Sequence, residues 1–225
     1  ETYTFMRGKI ELRNGDILIP YQHYPVSDDE NARIVAKYGG KYRPSGKLTY
    51  IGLTDVNIDH VDNGVAISRD GGKTFEICPC RPFPIRGETG LSWVWSEPTV
   101  VELSDGRVAM LVRVTKDVLW YCESADGGRT WSEYVRTDIP NPSCKPKLIG
   151  LPDGRIALLH DPDSTRRNPF AVWISDDDMK TWSRREVISD FPLNFDYPDG
   201  FYEDGRLYIS IELQRRDVLF IKYPL

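Results

Sequence analysis

Two short patterns alternate along this chain, and their alternation restricts the fold more than any single residue does. One is a hairpin signature: Leu12-Arg-Asn-Gly-Asp-Ile-Leu-Ile19, Leu103-Ser-Asp-Gly-Arg-Val-Ala-Met110, Leu151-Pro-Asp-Gly-Arg-Ile-Ala-Leu158 and Tyr202-Glu-Asp-Gly-Arg-Leu-Tyr-Ile209. The Asn-Gly and Asp-Gly pairs suit tight turns that require positive φ. The other reads Ser68-Arg-Asp-Gly-Gly-Lys-Thr-Phe75, Ser124-Ala-Asp-Gly-Gly-Arg-Thr-Trp131 and Ser175-Asp-Asp-Asp-Met-Lys-Thr-Trp182. Each copy follows an apolar strand such as Val65-Ala-Ile67 or Phe170-Ala-Val-Trp-Ile174. Hairpin, strand, then polar turn describes one four-stranded antiparallel blade. Successive hairpins are spaced by 48 residues (Asp105 to Asp153) and 51 (Asp153 to Asp204), close to the ~40–50 of propeller blades.

The expected fold is therefore all-β: a β-propeller in a single partial domain over 1–225. Its blades lie near 5–80, 97–138, 143–190 and 197–225, about three and a half in all. Closed propellers usually have about four to eight blades, so a portion is expected to precede Glu1, the alternative being that Glu1 to Met6 completes the last blade. The first unit carries an insertion from Ser27 to His60, and the one hint of a helix is Asp28 to Lys37.

Composition removes several functions. With 29 Lys and Arg against 34 Asp and Glu, the net charge of −5 leaves no basic footprint for nucleic acid. No apolar run approaches the roughly 20 residues of a membrane-spanning helix, and Glu1 to Phe5 has no signal-peptide pattern. Three scattered histidines and the cysteines Cys78, Cys80, Cys122 and Cys144 lack metal-ligand spacing. We therefore expect no metal, no cofactor and buried free thiols. Oligomeric state is not encoded in any recognisable pattern.

The Ser/Asp turns carry Asp70, Asp126 and Asp177, but a threefold repeated element is not a unique catalytic centre. Short polar side chains there cap local backbone, so these carboxylates are expected at the periphery, with Phe75, Trp131 and Trp182 packed into their own blades. The hairpins name cross-strand neighbours instead. Counting outward from each turn puts Glu97 opposite Arg113 or Val114, Tyr197 opposite Glu212, and Lys147 opposite His160 with Lys145 and Asp161 close by. It puts Arg7 opposite Gln22, with His23 beside it. All four hairpins open at the same end, so these groups are expected to gather on one face around the central channel. An ion pair such as Glu97 with Arg113 is also a common structural device.

These residues resemble a known family. The Ser/Asp turns are similar to the Asp boxes of sialidases (neuraminidases) and their BNR-repeat relatives. Ser96 to Arg113 resembles the sialidase stretch from a glutamate to the second arginine of the substrate-binding triad, and Gly8 to Pro20 resembles an earlier blade. Asp196 to Tyr208 stands where the catalytic tyrosine is carried. The resemblance implies a six-bladed propeller lacking its N-terminal blades here, in a secreted or periplasmic protein. It implies Tyr197 as nucleophile, Glu97 as its base and Arg113 gripping a sugar carboxylate; His23 and Glu212, from the hairpin pairing, and Arg167, as a substitute arginine, are expected as further substrate-binding residues. A phenol with pKa near 10 needs such a base, and a Tyr nucleophile is a recognised departure among glycosidases. The chain departs from the pattern at Trp173, where a third arginine is usual, and at Pro198, where a serine is. The first arginine and the acid/base aspartate belong to earlier blades. Arg166, Arg167, Arg215 and Arg216 are candidate substitutes for the third arginine. An indole at 173 carries no charge but can stack on a sugar ring, so weak or absent activity on simple sialosides is expected, with the preference shifted to a different acidic or neutral glycan.

Three functions follow: a sialidase-like glycoside hydrolase removing a terminal acidic sugar, a lyase on uronic-acid glycans using His23 or Tyr197 as base, and a non-catalytic glycan-binding propeller with Trp93, Trp95 and Trp120 as stacking surfaces. All three take a glycan or glycoconjugate as partner.

Overall fold

The computed structural model describes residues 3–6, 8–38, 58–85, 88, 90, 95–114 and 116–225. These residues form four antiparallel sheets, the blades of a β-propeller. In the first, β1 (Thr4–Phe5) and β2 (Ile10–Glu11) share the inner edge, followed by β3 (Ile17–His23), β4 (Asp62–Ser68) and β5 (Glu76–Pro79). The second holds β6 (Glu97–Glu102), β7 (Val108–Arg113), β8 (Lys116–Ser124) and β9 (Val135–Pro142). The third holds β10 (Lys147–Gly150), β11 (Ile156–His160), β12 (Phe170–Ser175) and β13 (Arg184–Ser189). The fourth has three strands, β14 (Phe195–Glu203), β15 (Arg206–Leu213) and β16 (Asp217–Pro224). Inner strands meet in succession, β3 with β6, β6 with β10 and β10 with β14. Near the axis Lys147 Nζ pairs with Asp199 at 3.1 Å and crosses over Gly8, where only a residue without a side chain leaves room.

Strand β1 pairs with β3 of its own blade, so Thr4 and Phe5 do not complete the fourth sheet. Helix α1 (Asp28–Tyr38) occupies the site of the helical hint. Ser27 Oγ accepts the Glu30 N–H at 3.2 Å, and three acidic residues in the first turn complement the helix dipole. Residues 39–57 of the insertion lie outside the described residues.

The apolar core lies between sheets rather than within them. On β7, Val108, Met110 and Val112 face the first blade while Ala109 and Leu111 face the third. On β12, Ala171 and Trp173 face the second blade while Phe170, Val172 and Ile174 face the fourth. Side chains alternate across a strand, so a strand buried on both faces must be apolar at nearly every position. This is why Val108 to Val112 shows no polar alternation.

Three of the four hairpin turns differ from the simple two-residue form. In each, the glycine N–H bonds back three residues, Gly15 to Leu12, Gly106 to Leu103 and Gly154 to Leu151, and only the glycine has positive φ. This is a type I turn followed by a left-handed residue. Its closing pairs, such as Leu103 with Arg107, shift the pairing by half a step from two-residue counting. Lys147 accordingly faces Leu159 rather than His160. Thr4 rather than Arg7 faces Gln22, because β1 and β2 pair with β3 in registers two residues apart; Arg7 itself lies outside the described residues. Only Asp204-Gly205 has positive φ at both positions.

The Ser/Asp turns close on themselves. Asp70 Oδ1 accepts the N–H groups of Lys73 and Thr74 at 3.0 and 2.9 Å, its Oδ2 accepts the Thr74 hydroxyl, and Ser68 completes the knot. Asp126 repeats these contacts, and Asp177 repeats those with serine and threonine while the Lys180 N–H turns to the Asp177 backbone carbonyl. Bonds from the Thr74 backbone, then from the Thr74 and Ser68 hydroxyls, hold the Asp70 carboxyl down at about 2. The aromatic that ends each turn packs differently from the expectation. Trp131 lies in the core between the first and second blades and Trp182 against that between the second and third, so each packs on the preceding blade. Phe75, in the first blade, has no preceding blade among the described residues and is 44% exposed.

Gly127 and Gly128 both have positive φ, so alanine at either should cost ~1–2 kcal/mol. A side chain at Gly128 would also press at 3.0–3.1 Å on Val65 and Leu18 of the first blade, whereas at Gly127 its nearest neighbour is the end of the Arg129 side chain at 3.4 Å. Denaturant unfolding is expected to show Gly128→Ala the more destabilising by a further ~1–3 kcal/mol; equal losses would show that the turn does not key one blade to the next.

Candidate functional site

Glu97 opens β6 and faces Arg113, the last residue of β7, in direct register. Their side chains form a tight ion pair in which the arginine is 1% exposed and the glutamate 5%. Arg113 Nε also donates to Ser143 Oγ at 3.2 Å. Burial opposes the guanidinium charge, but the Glu97 carboxylate outweighs it and the arginine is held above its ordinary value. Around the pair, Tyr24 Oη accepts the Ser96 N–H at 2.8 Å and donates to Gln22 Oε1 at 2.8 Å. Ser96 Oγ donates to Asn63 Oδ1 at 2.5 Å. Burial raises the Tyr24 phenol well above the usual tyrosine range. The first blade thus buttresses the strand that carries Glu97.

The fourth blade supplies Tyr197. A bulge between Asp196 and Asp199 shifts the register, so Asp196, not Tyr197, faces Glu212. The bulge leaves Tyr197 at φ 52° and half-buried, close enough to Arg113 and Tyr24 to bear on the charge of both. Bulges re-aim side chains in this way. Arg167, on the segment between β11 and β12, forms a tight ion pair with Asp196 and donates to the Ser143 carbonyl at 2.7 Å. Ser143 therefore holds both guanidinium groups, one by its hydroxyl and one by its backbone. Glu97, Arg113, Tyr197 and Arg167 come together at the open ends of the hairpins.

Other candidates are placed elsewhere. His23 pairs with Asp62 at 3.2 Å and lies against the Tyr3 ring, all within the first blade. Glu212 lines a shallow cavity of about 250 Å³ with Tyr197, Arg215 and Arg216. Arg166 turns outward to Asp163 at 3.4 Å. Trp173 is buried at the interface of the second and third blades, its ring 4.5 Å from His160 and under the Arg185 guanidinium. It is therefore unavailable for stacking on a sugar, because its place on β12 turns it towards the second blade. Trp120 packs edge-on against Phe83, Trp95 is half-buried, and Trp93 lies outside the described residues. All four cysteines are buried free thiols.

Sequence reasoning passed over Tyr24, Ser143 and Asp196; for Asp196 the signal was present, since a one-residue shift at the bulge exchanges it with Tyr197. Behind Arg167 lies Asp161, which is 1% exposed and whose carboxyl oxygens meet no N–H or O–H donor among the described residues, only the weak Cys144 thiol. Burial pushes its pKa up to about 7, against the pull of Cys144 and Arg167. Burial also lowers the neighbouring His160 to about 3, so its ring is neutral.

Two measurements probe these buried charges. Glu97→Gln leaves the Arg113 guanidinium buried without its counter-charge and is expected to cost ~3–5 kcal/mol in denaturant unfolding; a neutral result would mean that water replaces the carboxylate. Asp161 binds its proton more tightly folded than unfolded, so its contribution is full below pH ~4 and falls as pH rises towards 7. Asp161→Asn should flatten that decline, and an unchanged pH dependence of unfolding would show that the carboxyl is solvated.

The model of the BNR repeat-like domain family matches residues 2–209. No curated protein sequence matches the chain. Among solved structures, the Hadza microbial sialidase Hz136 is 18% identical and superposes with a TM-score of 0.72, covering 99% of this chain and 38% of its own. The Trypanosoma rangeli sialidase in complex with the inhibitor DANA gives 16%, 0.63, 99% and 32%. A leech intramolecular trans-sialidase complexed with 2,7-anhydro-Neu5Ac gives 18%, 0.64, 96% and 31%. The chain thus spans about a third of the length of these structures. At such identities the likeness establishes the fold.

Proposed function

The chain belongs to the BNR repeat-like family, and from that premise we propose that it carries part of the active centre of a sialidase-like glycoside hydrolase acting on a terminal acidic sugar. The observation that carries this reading is the bulge that leaves Tyr197 half-buried in a left-handed conformation, near enough to Arg113 of the buried Glu97–Arg113 pair to bear on its charge. Non-glycine residues in that conformation cost about 1–3 kcal/mol and cluster at functional sites.

In this mechanism Arg113 and Arg167 receive the sugar carboxylate, for which a planar two-donor fork is suited. The Tyr197 phenol attacks the anomeric carbon as the bond to the departing oxygen breaks, and Glu97 takes the phenolic proton. A neutral nucleophile avoids the repulsion that a carboxylate would meet beside the substrate's own. The departing oxygen needs a proton from an acid outside these four residues, and water then releases the sugar from Tyr197. Arg167, packed on Ser143 beside Arg113, supports a role in place of the arginine missing at Trp173.

The complete protein should be assayed on a fluorogenic sialic acid glycoside beside a panel of uronic acid glycans. Sialoside turnover is expected, falling by at least about 10³-fold in Tyr197→Phe while the variant still binds sialoside. An ultraviolet-absorbing unsaturated product would assign a lyase instead, and binding without turnover would assign a glycan-binding propeller.

A further inference from the structure

The hairpin joining β15 to β16 turns at Gln214 and Arg215, both with positive φ near 55°, where glycine or asparagine would be the easier choice. The Arg216 N–H closes the turn on the Leu213 carbonyl at 3.1 Å. Arg215 and Arg216 are exposed at its tip, and neither side chain has an ion-pair or hydrogen-bond partner among the described residues. In this they differ from Arg13, Arg107, Arg155 and Arg184, which are exposed or half-exposed and each paired to a carboxylate. Both line the cavity of about 250 Å³ whose other wall is Tyr197.

We propose that Arg215 and Arg216 form a second anion subsite, which selects glycans bearing a further oxyanion, a sulfate ester or a second carboxylate, next to the sugar held at Tyr197. The proposal rests on the reading of Tyr197, Glu97 and Arg113 as a sugar site. Two guanidinium groups on one short turn, neither with a partner among the described residues, bring two donor forks of the kind that bind sulfate or carboxylate to one cavity. The cavity also holds Glu212 and Asp217. Glu212 lies in register with Asp196 and Asp217 with Leu213, so Glu212 stands deeper along the hairpin than the arginines at its turn. An anion is repelled from the Glu212 end and admitted at the tip, while Glu212 itself is suited to accept a sugar hydroxyl. The subsite thus discriminates by charge and by position.

The test measures binding by calorimetry to the complete protein carrying Tyr197→Phe, which prevents turnover. Three probes are compared: a sialylated trisaccharide, the same trisaccharide with a sulfate on the adjoining sugar, and the sulfated form without sialic acid. A fourth, carrying a carboxylate in place of the sulfate, separates the two oxyanions. At about 50 mM salt the sulfated sialoside is expected to bind roughly five- to tenfold more tightly than the plain one. The gain should shrink in about 0.5 M salt through screening, vanish in Arg215→Ala/Arg216→Ala, and return in part in Arg215→Lys/Arg216→Lys. Equal affinity for the sulfated and plain sialosides, or a gain that survives the double alanine variant, overturns the subsite. Binding of the sulfated glycan without sialic acid through the two arginines, with no binding of the plain sialoside, would leave the subsite standing and overturn the sialidase reading.

Discussion

Each sheet of this protein is packed on a neighbour, and that constraint organises everything else. A blade between two others must be apolar on both faces, so its strands cannot show the polar alternation of a sheet with one wet side. The polar residues are displaced to strand ends and turns. Chemistry is therefore confined to the open ends of the hairpins, where Glu97 and Arg113 terminate their strands and Tyr197 leaves the ladder at a bulge. The same constraint explains the exposed end faces. The fourth blade packs Leu207, Ile209 and Ile211 on the third, while Phe201, Val218 and Phe220 on its other face remain in solvent.

The Asp boxes serve this arrangement indirectly. Their carboxylates are consumed by local backbone and threonine groups, which leaves them no part in a reaction but fixes a rigid turn. Gly128 and Trp131 on that turn then pack against the preceding blade. A motif that identifies the family by sequence is thus a device for joining blades, and Phe75 shows the same aromatic position when no preceding blade covers it.

The candidate site balances its charges in pairs. Glu97 neutralises Arg113 and Asp196 neutralises Arg167, with Ser143 holding both arginines. Buried charges survive only with partners and hydrogen bonds, so under the proposed mechanism a substrate carboxylate would compete with the carboxylates already present. Asp161 lies behind this cluster with no N–H or O–H donor on its oxygens among the described residues, and burial pushes its pKa up to about 7.

The sequence by itself determined the blade, because glycine turns, Ser/Asp knots and doubly apolar strands are local requirements that leave local marks. It also narrowed the partner of Glu97 to Arg113 or Val114 by counting outward from Asp105-Gly106, and the structure selects Arg113. Only the tertiary structure decided which side of its strand Tyr197 occupies, since a bulge changes register without any fixed residue signal. It likewise decided that Trp173 belongs to the core, because parity along β12 settles that question only once the neighbouring blade is in place. The place of Arg167 was beyond the sequence for a similar reason: its partners Asp196 and Ser143 lie 29 and 24 residues away in the chain, and only the packing of the third blade on the fourth brings them together.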